Sequence, residues 1–121
     1  MKVLVIDDDK FVQKVYQVKL EEAGYEVIQA FDGQEGEEKI SKEKPDFILL
    51  DMIMPKKNGF ELLEDIKTDA KLKKVPVVVI SNLKQDSDIE KAKNLGANEY
   101  MPKDQFSPVQ IIEKIKEIVG K

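Results

Sequence analysis

Short unbroken apolar runs alternate along this chain with longer amphipathic segments. Val3 to Ile6 (VLVI), Phe47 to Leu50 (FILL) and Val75 to Ile80 (VPVVVI) are continuous runs rich in branched residues. A strand with one wet face alternates apolar and polar positions. An unbroken run fits a strand covered on both faces, as in a parallel sheet. Tyr25 to Ala30 (YEVIQA) and Glu99 to Met101 (EYM) predict two weaker strands. The intervening segments have helical spacing. Residues 10–23 set Phe11, Val12, Val15, Val18 and Leu20 on one side and stop at Gly24. Residues 59–67 carry Leu62, Leu63 and Ile66, and residues 87–95 carry Ile89, Ala92 and Leu95 ahead of Gly96. Residues 109–119 carry Ile111, Ile112, Ile115, Ile118 and Val119, with Ser107 as a cap and Pro108 at the first helical position. The weakest helix is 34–42 (QEGEEKISK), where Ile40 is the one large apolar residue.

A β-α unit repeated five times predicts an α/β fold with an open parallel sheet and helices on both faces. One domain over residues 1–121 is expected. No apolar run approaches the roughly 18 residues of a membrane span.

Composition narrows the chemistry. Acids outnumber bases 24 to 20, for a net charge of −4. Without a basic excess, direct nucleic-acid binding is not expected. The chain has no His, Arg, Cys or Trp. That removes His-dependent hydrolase triads, zinc sites and arginine fingers. It also permits a reducing cytoplasm as the location. Any chemistry rests on carboxylates, Lys, hydroxyls, backbone amides and a hard metal.

In folds of this kind, ligands bind beyond the carboxyl ends of the strands. Those ends carry Asp7-Asp8-Asp9, Asp51, Ser81-Asn82 and Lys103. The first and third strands should be neighbours, so Asp7, Asp8 and Asp51 would repel one another without a cation. Carboxylate oxygens with few other donors suit Mg²⁺. Lys103 could pair with one carboxylate and bind an incoming phosphoryl oxygen, and Ser81 could donate to another. Asp9 is open to two readings, helix cap or member of the cluster.

These residues sit in stretches that resemble the receiver domain of two-component response regulators, of the single-domain chemotaxis type. The stretches are VLVIDDD at 3–9, AFDGQEG at 30–36, PDFILLDMIMPKKNGFELLEDIK at 45–67, VPVVVIS at 75–81 and LGANEYMPK at 95–103. The resemblance implies a flavodoxin-like, doubly wound (βα)5 fold with strand order 2-1-3-4-5. It implies Asp51 as the phosphoacceptor, Asp7 and Asp8 as metal-binding acids, the Ile53 backbone carbonyl as a further ligand and Mg²⁺ as the cofactor. Ser81 would bind the phosphoryl group, Lys103 would neutralise it, and Tyr100 would rotate inward as Ser81 moves. Pro55 and Gly59 would shape the loop after Asp51. The implied partners are a histidine kinase or phosphotransfer protein and a downstream target or effector domain. The signalling surface would be the fourth helix, fifth strand and fifth helix, with a phosphorylation-dependent homodimer allowed. Such a domain is a cytoplasmic switch rather than an enzyme.

The sequence departs from the family at several points. Asn82 replaces a commonly small residue. Asp104 follows Lys103 where Pro, with a cis bond, is usual. Pro102 would have to lie on an edge strand. Lys56-Lys57 reads as a solvated turn, and Met52 and Met54 as loop packing. Three other readings compete. A degenerate, partner-binding receiver would lack one of the five core positions. A haloacid-dehalogenase-type phosphatase would need Thr where Phe11 stands. A flavodoxin would need a phosphate loop in place of this acidic one.

Overall fold

The computed structural model describes residues 1–83 and 85–119. Its elements alternate as β1 (Lys2–Ile6), α1 (Lys10–Glu22), β2 (Glu26–Ala30), α2 (Gly33–Glu43) and β3 (Phe47–Leu50). They continue as α3 (Gly59–Thr68), β4 (Val77–Ser81), α4 (Asp86–Asn94), β5 (Glu99–Pro102) and α5 (Pro108–Ile118). The strands form one parallel sheet in the order β2-β1-β3-β4-β5, as the alternation predicts. Every residue of β3 and β4 is buried, which is what their unbroken apolar runs require.

The sheet separates two apolar layers. Leu4, Ile6, Ile48, Leu50, Val77 and Val79 face α2, α3 and α4 on one side. Val3, Val5, Phe47, Leu49, Val78 and Ile80 face α1 and α5 on the other. Burying each such side chain contributes roughly 1.5–3 kcal/mol.

Local chemistry explains where elements start. β4 begins at Val77 rather than Val75, because Val75 N–H is taken by Leu72 O in a turn and Pro76 has no N–H. α2 forms despite its poor apolar pattern. Asp32 caps it by accepting from Glu35 N–H, and Glu35 in turn accepts from Phe31 N–H. Gly36 lets this helix sit directly on Ile6 and Leu62, where a Cβ would crowd both side chains. Pro102 does end the edge strand β5, beside β4 alone.

The buried face of α1 differs from the expected one. Gln13, Tyr16 and Leu20 are buried, whereas Phe11 is 76% exposed and Val18 45%. The face begins on a polar side chain because the Gln13 amide donates to the Val5, Asp7 and Ala30 carbonyls around the ends of β1 and β2. Among the described residues no helix is long and apolar enough to cross a membrane.

Candidate functional site

Sheet register brings the acids together. β1 and β3 pair through Ile6 and Leu50, and Asp51 N–H donates to Ile6 O at 2.9 Å. Asp7 and Asp51 therefore leave adjacent strands side by side. Asp7 is 0% exposed and Asp51 4%, while Asp8 is exposed. Each of the three places a carboxylate oxygen within 4.8 Å of the others. No nitrogen or sulfur donor belongs to this group, so the cluster fits a hard divalent cation.

Lys103, directly after β5, supplies the local positive charge. Its Nζ lies 2.8 Å from Asp7 Oδ2 and 3.4 Å from Asp51 Oδ2. The closer contact is a tight ion pair to a fully buried carboxylate, and the longer one is a hydrogen bond to Asp51. Two buried carboxylates thus share one ammonium. Burial raises the pKa of Asp7 despite Lys103, and burial followed by the charge of Asp7 raises that of Asp51. Burial works against the Lys103 ammonium as well, but its two carboxylate partners outweigh it and its pKa is raised.

Backbone donors fix the acids in place. Asp7 Oδ1 accepts from Asp9 N–H at 2.9 Å, and Asp51 Oδ1 accepts from Ile53 N–H at 3.3 Å. Asp9 is a helix cap and not part of the cluster, since its carboxylate accepts from Phe11 and Val12 N–H. The loop after Asp51 is closely packed. A Cβ on Gly59 would strike the Asp51 carbonyl and Met52. Pro55 O accepts from Gly33 N–H and Lys57 N–H, binding the loop to the start of α2. Met52 and Met54 are buried in the core, as expected of loop packing.

Lys57 corrects the expectation of a solvated turn. Its ammonium is paired with Glu37 on α2 and Asp65 on α3. Lys56 alone projects outward, with a left-handed φ of 72° and a long pairing to Asp32.

Ser81 and Tyr100 meet through one residue. Ser81 Oγ accepts from Leu83 N–H at 3.2 Å, and Tyr100 OH donates to Leu83 O at 2.6 Å. The Tyr100 ring already lies inward, 5% exposed. Burial raises the pKa of its hydroxyl. Asn82 beside them is exposed, and no cis peptide bond occurs among the described residues, including Lys103–Asp104.

The sequence reading missed Gln13, whose buried amide reaches the ends of β1 and β2. Its position three residues before Tyr16 and seven before Leu20 on one helix face could have revealed it.

Comparison with known proteins places the fold in a family. The family model "Response regulator receiver domain" matches residues 3–116. The alkaline phosphatase synthesis transcriptional regulatory protein PhoP of Bacillus subtilis is 35% identical over 98% of this chain, which spans 48% of that protein. The chain thus spans about half the length of the regulator it matches. A CheY-like receiver domain protein from Methanospirillum hungatei superposes with a TM-score of 0.91 at 29% identity, covering 98% of this chain and 93% of that one. The Mn²⁺-bound form of response regulator Rcp1 superposes with a TM-score of 0.84 at 28% identity, covering 96% and 91%. The chain belongs to the response regulator receiver domain family.

Proposed function

We propose that this domain is a phosphoacceptor switch of two-component signalling, with Asp51 as the acceptor and Mg²⁺ as the ion held by Asp7, Asp8, Asp51 and the Ile53 carbonyl. The observation that carries the reading is a buried Asp51 flanked by two acids and one shared lysine. Asp51 is held for attack by Ile53 N–H on one oxygen, with Lys103 near the other. An Asp51 oxygen forms the new O–P bond as the P–N bond to a donor imidazole breaks. The imidazole leaves with the electron pair. A divalent ion held by Asp7, Asp8 and Asp51 would supply charge neutralisation for the phosphoryl oxygens. Lys103 turns from the two carboxylates toward the new anion, and the Ser81 hydroxyl donates to another of its oxygens. Phosphoryl transfer needs little beyond such positioning and charge stabilisation.

The donor is the phosphohistidine of a histidine kinase or phosphotransfer domain, since these 121 residues hold no His. Phe11, Phe106 and Pro108 border Lys103 in a cleft of about 140 Å³ that gives a donor an apolar seat beside the site. Output passes through α4, β5 and α5 to a protein target or effector domain. The domain acts in the cytoplasm as a switch, not as a turnover enzyme. The phosphatase alternative is disfavoured because Asp9, its second required acid, caps α1.

Incubation with phosphoramidate and Mg²⁺ should add one phosphoryl group to the intact mass. EDTA should prevent it, and so should Asp51→Asn. Labelling that survives in Asp51→Asn refutes the assignment.

A further inference from the structure

Gln13 is 1% exposed, on a helix face otherwise lined by Tyr16 and Leu20. Burying an amide costs free energy unless hydrogen bonds compensate it. Its Nε2 donates to Val5 O at 2.9 Å, Asp7 O at 3.0 Å and Ala30 O at 2.8 Å. An amide group has two hydrogens, so three acceptors mean that at least one is shared. Its Oε1, also buried, has no hydrogen-bond partner among the described residues. The orientation is nonetheless fixed, because the reversed amide would aim an oxygen at three carbonyls. Donation to the strand ends is therefore what this side chain does, at the expense of its own acceptor.

The carbonyl of Asp7 belongs to the peptide that joins Asp7 to Asp8. Asp7 N–H donates to Ala30 O at 3.0 Å, the same oxygen that Gln13 reaches. The backbone of Asp7 is thus held on both sides, by Ala30 at its N–H and by Gln13 at its carbonyl. Fixing that peptide sets the direction in which both acids leave the chain. We propose that Gln13 is a positioning residue for the acidic cluster, its amide clamping the Asp7–Asp8 peptide to the end of β2 and so setting the affinity for a divalent cation. The proposal rests on the reading of Asp7, Asp8 and Asp51 as a Mg²⁺ site. Groups that orient metal ligands from behind typically change affinity about 10–100-fold when removed.

The test is a Mg²⁺ titration followed by ¹H–¹⁵N NMR on wild type, Gln13→Met, Gln13→Asn and Leu20→Ala. Methionine keeps the side chain's bulk without donors, and asparagine keeps the donors without the reach. Leu20, fully buried on the same helix but outside the site, controls for lost stability. Gln13→Met and Gln13→Asn should bind Mg²⁺ at least about 10-fold more weakly, while Leu20→Ala keeps the wild-type Kd. In wild type, the Gln13 side-chain amide resonance should shift along the same binding curve, a readout that needs no variant to fold. Affinity within twofold of wild type in either Gln13 variant overturns the proposal, as does an amide resonance that Mg²⁺ leaves unmoved. A wild-type protein that binds no Mg²⁺ overturns instead the reading of the cluster on which it rests.

Discussion

Replacing Asp51 by Asn should make the metal-free protein more stable, although it deletes the group at the centre of the site. Asp7 and Asp51 are buried, with carboxylate oxygens within 4.8 Å of each other and of Asp8. At that distance two unit charges repel by about 3.5 kcal/mol at an effective dielectric of 20. Lys103, 3.4 Å from Asp51 Oδ2, returns about 5 kcal/mol on the same scale. Exposed and screened, Asp8 adds a little further repulsion, so the Coulomb contributions nearly offset. Desolvation then decides the sign, because a buried ion costs several kcal/mol. This is why burial, ahead of the charge of Asp7, raises the pKa of Asp51 even beside an ammonium. A neutral amide escapes the desolvation and the repulsion, and its oxygen can still accept from Ile53 N–H. The expected gain at pH 7 in EDTA is about 1–3 kcal/mol, which is roughly 3–12 °C in Tm.

The pH dependence carries the same sign. A carboxylate whose folded pKa exceeds its unfolded value binds protons more readily in the folded state. Metal-free wild type should therefore gain stability as pH falls from neutral through the raised folded pKa toward the ordinary value of 3.8. Asp51→Asn should gain less over that window, because Asp7 is then paired one to one with Lys103. Thermal melts by circular dichroism at pH 7 and pH 5 in EDTA read both effects. A variant that melts below wild type at pH 7, together with a wild type that acid does not stabilise, would refute the reasoning.

Other substitutions probe the remaining parts. Lys103→Met leaves Asp7 and Asp51 without a cation among the described residues and should lower metal-free stability at pH 7 by about 3–5 kcal/mol in urea titrations, with a smaller loss at pH 5. In wild type the Lys103 contribution should be complete below 10.5 and be lost as pH rises through its raised folded pKa. Tyr100→Phe removes the bond to Leu83 O and should cost about 1 kcal/mol in the same assay, with phosphoryl uptake at Asp51 unchanged. Ser81→Ala should still accept a phosphoryl group but lose most of the NMR shift changes along α4 and β5, since Ser81 and Tyr100 hold opposite ends of Leu83. Gly59→Ala presses a Cβ on the Asp51 carbonyl and should cost about 1–3 kcal/mol in thermal melts.

The centre of the sheet was legible because β1, β3 and β4 are buried on both faces and leave unbroken apolar runs, whereas the edge strands β2 and β5 carry only a weak pattern. The acidic site followed from topology, because the carboxyl ends of neighbouring strands converge whatever the details of packing. What escaped were side chains whose role depends on where a backbone stops. Gln13 breaks the apolar pattern of α1 because it answers carbonyls at the ends of β1 and β2, which periodicity does not register. Phe11 looked like core for the same reason, yet it lies at the exposed start of the helix. Lys57 read as a solvated turn, and only the approach of α2 and α3 supplied Glu37 and Asp65. Asp9 could not be told from its neighbours until its carboxylate was seen to face α1.

The central claim is that Asp51 takes up the phosphoryl group within a divalent-cation site. Borohydride reduces an aspartyl phosphate to homoserine, so peptide sequencing by mass spectrometry after phosphoramidate, Mg²⁺ and borohydride locates the acceptor directly. Homoserine should appear at position 51 and nowhere else, and only when Mg²⁺ is present. Homoserine at Asp7 or Asp8, or an equal yield at Asp51 in EDTA, would contradict the account.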